Sequence, residues 1–542
     1  MNRAGRRGAA LLALALTTAG AGAADGGTGP SAARLAAAAG ESDWLLPDHD
    51  YAGTRHSPLA LLTRDNVGRL RPVCEYRFEE AGRLGDNPIV HDGVLYATAG
   101  DLTVALDAAT CAERWRHAWT GVGQGRARPF FKSRGVSLRD GVLVRGTSEG
   151  TLLALDAATG RVRWSRPVAS PGRFEFITTT PLVVGDQVVV GFGISEYAMK
   201  GWIGAWRLTD GEAVWRFDTI PGEGDPAAAT WSDPQVRERG GGGVWVTPVL
   251  DQTTGTLWAT AGNPVPDFHG DTRAGANLYT GSLLALDAAS GALRWHRQFV
   301  PHDLHDWDLT VVGPLYASPV TGQPLVAAGG KDGLLRSVDR LSGELRFETP
   351  VTTREQADAA PTVEGVRTCP GVLGGLQWSR PALLPAAGLL VVPSVDWCGT
   401  YRKAVEPRLI RGQLHLGGSF SFDPPEQSGG WITAVDAHSG AVRWRHRSAR
   451  PQLAAVTTTA SGLVITGELD GHLLVLDGAD GRVLLRHDSG TPLHAGVITY
   501  AVGGRQYVAV AGGTATAFWR SGTWPATVVV YGLPPDADGI AR

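Results

Sequence analysis

Residues 154–164 read ALDAATGRVRW: the end of an apolar strand, an aspartate, a short turn closed by glycine, and a second strand ending on tryptophan. The pattern recurs as ALDAATCAERW (105–115), AWRLTDGEAVW (205–215), ALDAASGALRW (285–295), SVDRLSGELRF (337–347), AVDAHSGAVRW (434–444) and VLDGADGRVLL (475–485). Each copy follows an alternating β run with its own turn, as in GVLVRGTSEGTLLALD (141–156). Two strands joined by a short polar turn containing glycine make a hairpin. Four strands per unit of roughly 40–50 residues, repeated along the chain, make a β-propeller.

Each residue of the repeat has a physical task. Asp and Thr or Ser hydrogen-bond turn amides, Gly supplies positive φ, and Trp wedges between neighbouring blades. Asp156 and Asp339 are therefore structural and not catalysts. The first copy carries Cys111 where glycine belongs, which points to an inter-blade tether. The strand VVVYGL (528–533) can pair near the N-terminus and close the ring, so the expectation is an all-β, eight-bladed propeller. It spans residues 41–535 as one domain, with insertions around 217–280 and 350–430 and a tail at 536–542.

The chain has 542 residues, a net charge of −3 and a sequence with only 19% charged residues, so nothing basic enough for nucleic acid stands out. It contains four lysines (Lys132, Lys200, Lys331, Lys403) and five asparagines, against 50 Lys and Arg together. A lysine that persists where arginine is the habit carries more information than usual. Residues 1–23 begin with Arg3, Arg6 and Arg7, continue into an apolar run and reach Ala21-Gly22-Ala23, as an export signal does; the Arg6-Arg7 pair hints at twin-arginine export. Residues 24–40, rich in Ala and Gly, read as a disordered lead-in. No other apolar run approaches the ~20 residues a membrane span needs. The reading is a periplasmic or secreted protein without a transmembrane segment. Cys74, Cys111, Cys369 and Cys398 suit an oxidising compartment. Of three possible pairings, proximity in sequence favours Cys74–Cys111 and Cys369–Cys398. No CxxCH occurs, which argues against attached haem.

One stretch does not fit the blade pattern. FVPHDLHDWDL (299–309) holds three aspartates and two histidines in eleven positions. It is either a solvated loop or a site, and a propeller alone does not decide, because fold does not imply function.

The surrounding segments resemble the quinoprotein alcohol dehydrogenases, eight-bladed propellers that bind pyrroloquinoline quinone (PQQ) and a metal. The likeness runs from about Asp43 to Gly513. It begins with DWLLPDHDYAGTRHSPL and NVGRL and continues through ISEYAMKGWIGAW, GGGVWVTPVL, AGNP, NLYTGSLLALD, PHDLHDWDL and GGKDGLL. It ends with CPGVLGGLQW, DWCGTY and GGRQYVAV.

The resemblance nominates residues one by one. Glu196 and Asn263 match metal ligands, and hard cations favour such oxygens. Trp245 matches the indole under the flat quinone, and Lys331 the cation at its reactive oxygen. Arg134 and Thr178 match polar contacts to the cofactor. Asp306 matches the aspartate that takes the substrate hydroxyl proton and also binds the metal. If the segment is extended, Asp308 shares a face with Asp306, so both reach one cation. A second aspartate there resembles the lanthanide-dependent members, so the implied metal is one lanthanide ion ahead of Ca2+. Asp303 and His302 shape the turn, and His305 lines the entrance or bonds within the loop.

Taken singly, each residue has a structural reading: a hairpin carboxylate, turn chemistry at Asn-Pro, one more blade tryptophan, a turn-capping lysine. It is their joint occurrence in matching context that favours an enzyme. The implied function is oxidation of a small-molecule alcohol by hydride transfer to PQQ, with an external electron acceptor such as a cytochrome c. The alternative is a non-catalytic propeller scaffold of the cell envelope, and a third reading is a quinoprotein for a sugar or polymeric alcohol. The chain departs from the family in several places. The adjacent cysteine pair near the quinone is missing, with Phe130 and Phe131 near its position, and Gly193, Gln377 and Ala276 replace usual polar residues.

Overall fold

The computed structural model describes Met1 and residues 29–78, 84–121, 133–169, 175–515, 517–519 and 521–535. Eight antiparallel blades follow in chain order: residues 89–118, 137–167, 182–218, 249–298, 311–350, 382–448, 457–488 and 493–532. The eighth takes its outermost strand, Arg71–Phe78, from the beginning of the chain, where it pairs antiparallel with Ala526–Gly532 and closes the ring as expected. A parallel pairing of His56–Ser57 with Thr457–Thr459 adds a second closure.

Inner strands are buried along their whole length and outer strands are half exposed. Val142–Gly146 and Thr151–Asp156 of the second blade are buried apart from Asp156, whereas in Val162–Pro167 only Trp164 is buried. Between the second and third blades Val142, Val144, Ala154, Trp164, Val183, Val188 and Val190 form one apolar layer. Each such Val or Leu contributes about 1.5–3 kcal/mol when fully buried.

The repeat acquires its meaning between blades. A Cβ on Gly160 would lie 2.5 Å from the Trp115 ring, one on Gly211 2.8 Å from Trp164, and one on Gly291 2.3 Å from Trp215. The turn glycine of these blades is therefore the seat for the tryptophan of the blade before, and Gly440 seats Phe347 in the same way. The indole N–H groups complete the joint: Trp115 donates to Ala157 O at 2.9 Å, Trp164 to Leu208 O at 3.0 Å and Trp444 to Gly478 O at 3.0 Å. The blade before the first copy offers no tryptophan; its strand Arg71–Phe78 offers Cys74, disulfide-bonded to Cys111. The tether expected from Cys111 is present, as is the second pairing, Cys369–Cys398.

One feature differs from expectation, and one adds to it. Residues 24–28 of the lead-in lie outside the described residues, but beyond them Ala32–Ala36 is a helix capped by Ser31, with Leu35 and Ala38 buried in the apolar cluster of the third and fourth blades and Arg34 paired with Glu41, Asp43 and Asp92. Composition alone could not reveal those partners. The second insertion forms its own sheet of Val366–Thr368, Gly399–Lys403 and Gly418–Phe422. Among the described residues no helix is long and apolar enough to cross a membrane.

In an antiparallel four-stranded blade the 3–4 turns lie at one end, and the 2–3 loops and inter-blade connections at the other. The Asp–Gly–Trp turns occupy the first end. Every nominated site residue falls at the second.

Candidate active site at the loop end of the propeller

Glu196 and Asn263 sit in the 2–3 loops of the third and fourth blades, Lys331 in that of the fifth, and Asp306 and Asp308 in the connection before Val311–Ala317. Arg134, Thr178 and Trp245 precede the first strands of the second, third and fourth blades. Widely separated segments thus converge on one mouth.

The PHDLHDWD loop is built around Asp303, whose carboxylate accepts the His305 N–H at 2.9 Å and the Trp307 N–H at 2.7 Å. His302 bonds Gly275 O through Nδ1 at 2.8 Å. These two residues do shape the turn. His305 stacks on Trp307 with ring centroids 4.3 Å apart, and its Nε2 meets Ala359 O at 3.0 Å. The segment is not extended at Asp306, which has φ +57°. The two carboxylates converge through this left-handed turn and not through strand alternation, a geometry that periodicity does not show.

Lys331 Nζ lies 3.0 Å from Asp306 Oδ1 and 2.7 Å from Asp308 Oδ2. Asp308 Oδ1 accepts the Asn263 N–H at 2.9 Å, and its carbonyl accepts the Lys331 N–H at 3.0 Å. Gly262 permits this approach, since a Cβ there would lie 2.2 Å from Asp308 Oδ1. Glu196 is carried on the single 3-10 turn Ser195–Tyr197, between left-handed Ile194 and Ala198. Carboxylate oxygens of Glu196, Asp306 and Asp308 lie within 4.8 Å of one another.

The electrostatics are those of a crowded anionic cavity. Burial, then Asp308, pushes the Glu196 carboxyl up to about 7. Burial raises Asp306 well above the carboxylate range, with Asp308 and Glu196 adding to the shift and Lys331 opposing it. Burial alone would lower the Lys331 ammonium, but Asp306 and Asp308 outweigh it and hold it above its ordinary value. Glu196 Oε2 and Asn263 Oδ1 are buried and have no hydrogen-bond partner among the described residues. Asn263 Nδ2 donates to Pro264 O at 3.2 Å, which turns Oδ1 the other way. Three carboxylates and an orphaned amide oxygen form an all-oxygen donor set that suits one hard cation. Glu468, Asp470 and His472 meet the same spacing, but Arg486 donates to Glu468 and Asp470, so that cluster is a neutralised ion pair.

Beside this set lies a flat platform. The Arg134 guanidinium stands 5.0 Å over the Trp245 ring and 6.0 Å from that of Trp378. Its Nη1 donates to Thr178 O at 3.3 Å and Trp245 O at 3.4 Å, and burial lowers it to about 10. Thr178 Oγ1 is buried and has no partner among the described residues. A Cβ on Gly193 would meet Thr178 Oγ1 at 2.6 Å and Trp245 Cβ at 3.0 Å, so the glycine keeps the platform compact. An indole face, a guanidinium and an unpaired hydroxyl suit a planar, anionic cofactor such as PQQ. Gln377, where the family usually differs, donates to Leu373 O and Gly374 O and serves the loop. Phe130 and Phe131 lie outside the described residues.

Three residues escaped the sequence reading. Arg273, fully buried, donates to Pro266 O at 3.0 Å, to Asp267 O at 3.3 Å and to Asp303 O, tying the fourth-blade loop to the PHDLHDWD loop. Asp267 is buried with neither carboxylate oxygen meeting a donor among the described residues, and Tyr401 is buried with its hydroxyl beside Trp307. An arginine among dozens and a lone aspartate after Pro266 give no local signal, because their surroundings come from segments far away in sequence.

Comparison with known proteins agrees with this geometry. The family described as glucose/ethanol/alcohol dehydrogenase, β-propeller domain, matches residues 44–361, which include all eight nominated residues. The outer membrane protein assembly factor BamB family matches residues 428–534, blades that carry none of them. Quinohemoprotein alcohol dehydrogenase ADH IIB of Pseudomonas putida is 30% identical over 510 residues, covering 87% of this chain and 73% of its own. Quinoprotein alcohol dehydrogenase PedH of Pseudomonas putida is 29% identical, covering 85% and 84%. The structure of quinohemoprotein alcohol dehydrogenase ADHIIG from Pseudomonas putida HK5 superposes with a TM-score of 0.86 at 26% identity, covering 96% of this chain and 84% of the other. With the propeller fold established and more than half of the chain matched by this family, the chain belongs to the PQQ-dependent quinoprotein alcohol dehydrogenases, oxidoreductases acting on CH–OH groups.

Proposed function

We propose that the protein is an exported alcohol dehydrogenase that uses PQQ and one hard cation, and passes electrons to an external acceptor such as a cytochrome c. The observation that carries this reading is the oxygen cluster of Glu196, Asp306 and Asp308 next to buried Lys331. Glu196, Asn263, Asp306 and Asp308 would hold the cation, and Trp245, Arg134, Thr178 and Lys331 the quinone. When bound, the pair supplies a hydride acceptor and the Lewis acid that polarises it. Asp306 accepts the substrate hydroxyl proton on the oxygen that Lys331 does not hold. Lys331 supports negative charge as it develops, from a position fixed by the two aspartates. Trp307 and His305, stacked beside Asp306, exclude water from that side.

Three carboxylates in one donor set favour a trivalent ion, so a lanthanide is assigned ahead of calcium. Both disulfides support an oxidising compartment, and since they engage all four cysteines none remains for covalent haem attachment within these 542 residues. The test is reconstitution of the metal-free protein with PQQ plus calcium or lanthanum, followed by dye-linked oxidation of primary alcohols. Lanthanum-dependent turnover is expected. Failure to bind the quinone with either ion would overturn the reading.

A further inference from the structure

Among the described residues of this mouth, Asp267 is an acidic side chain for which neither metal, quinone nor the loop's own hydrogen bonds provide a role. It is 1% exposed, and neither oxygen meets a donor among the described residues. An unpaired carboxylate in such a place is costly, which is tolerable where a ligand supplies the missing partner. It is not one of the three carboxylates close enough to share a cation, yet its charge is felt by Asp306, Glu196, Lys331 and Asp308. Its backbone is fixed: Arg273 holds the carbonyls of Pro266 and Asp267, and Phe268 packs edge-on against Tyr401 at 5.3 Å. Arg273 is spent on carbonyl oxygens and does not neutralise the carboxylate.

The neighbouring groups add the complementary chemistry. Tyr401 is T-stacked on His305 at 5.1 Å, and its hydroxyl feels Asp306 and Asp303. Trp307 Nε1 lies beside Tyr401 Oη and interacts with it, which leaves the Tyr401 O–H proton without an acceptor among the described residues. Near the proton acceptor stand a carboxyl group that can accept, Asp267, and a hydroxyl that can donate, Tyr401. A hydroxyl group both donates and accepts, which matches this set; an ammonium only donates, and an alkyl chain does neither.

We propose that Asp267 is a specificity-determining residue that accepts a hydrogen bond from a second hydroxyl of the substrate, so that the enzyme takes diols and polyols in preference to simple alkanols. The inference rests on the alcohol dehydrogenase reading above and deepens it. A site built to hydrogen-bond a hydroxyl discriminates strongly against the analogue lacking it, because the buried polar group is then left bare.

The test uses the holoprotein with PQQ and its activating metal, on C2–C6 primary alkanols, the matching terminal diols, glycerol and ω-amino alcohols. The wild-type kcat/KM for the best diol should exceed that for the alkanol of equal length by about tenfold or more. In Asp267→Leu that ratio should fall by about tenfold or more, mainly through KM, and Asp267→Asn should fall between. Melting of the metal-free variants provides a readout independent of turnover: Asp267→Leu should melt higher than wild type, since an unpaired buried carboxyl group is removed. Saturating diol should raise the melting temperature of the wild type and not of Asp267→Leu. If no alcohol is turned over, the functional reading fails, while the diol-induced shift still decides the role of Asp267. An unchanged ratio, loss of metal-induced stabilisation in Asp267→Leu, or a preference for amino alcohols over diols would each overturn the proposal.

Discussion

The two ends of each blade use the same residue type in opposite ways. At the turn end, aspartates are satisfied. Asp287 Oδ1 accepts from the Ala289 N–H, Ser290 N–H and Ser290 hydroxyl, and Arg294 reaches its other oxygen at 2.5 Å. Asp107, Asp156 and Asp436 repeat the arrangement with Arg114, Arg163 and Arg443. Hydrogen bonds from Arg294 and Ser290 hold Asp287 down at about 2. At the loop end, carboxylates outnumber their partners: Lys331 alone faces both Asp306 and Asp308, Glu196 Oε2 and both Asp267 oxygens have no partner among the described residues, and burial lifts Glu196 to about 7 and raises Asp306 and Asp267 well above the carboxylate range. Satisfied carboxylates hold a fold together, whereas unsatisfied ones await a ligand.

The largest expected effect is at the loop end. Asp306→Asn should lower turnover by about 10²–10⁴-fold without lowering the melting temperature; unchanged turnover would remove Asp306 as the base. Next comes the joint between blades. Trp164→Ala should cost about 3–5 kcal/mol in denaturant unfolding, because it empties the seat formed by Gly211, while the folded fraction keeps its kcat. Asp308→Ala should weaken lanthanum activation by at least the ~10–100-fold that loss of a supporting partner costs, and calcium activation less. Equal losses with both ions would dissolve the distinction. Asp287→Ala is the turn-end control: about 1 kcal/mol of stability lost and no change in turnover.

Acidity separates the ends by sign. Glu196 titrates near 7 in the folded metal-free protein against an ordinary value of 4.5, so between these the native state holds a proton that the unfolded chain has released. Metal-free protein should lose stability as pH rises from 4.5 through about 7, and Glu196→Gln should flatten that slope. Asp287 is depressed to about 2 from 3.8. Its contribution is present above 3.8 and lost as pH falls toward 2. Melting curves across pH, with and without chelator, read both.

What the sequence makes legible follows the same division. The turn end repeats, so ALDAATGRVRW and its copies reveal blade number, ring closure and the structural role of Asp156 and Asp339. Even the irregular Cys111 is readable, because its deviation from the repeat identifies the place where a disulfide replaces a tryptophan joint. The loop end does not repeat. Glu196, Asn263, Lys331, Asp306 and Asp308 were recoverable only as a set in family context. Asp267, Arg273 and Tyr401 were not, since an orphaned carboxylate is defined by groups that fail to arrive from distant segments. The helix Ala32–Ala36 was missed for the same reason: its stability comes from Asp43, Asp92 and the fourth blade, not from its own composition.

The central claim, that the unsatisfied loop-end carboxylates form a cofactor site, is tested most directly by thermal unfolding of metal-free protein with PQQ and lanthanum added together. Wild type should gain on the order of a few degrees or more at saturation, and Glu196→Gln should lose most of that gain while Asp287→Ala keeps it. The same gain in Glu196→Gln as in wild type would contradict the account.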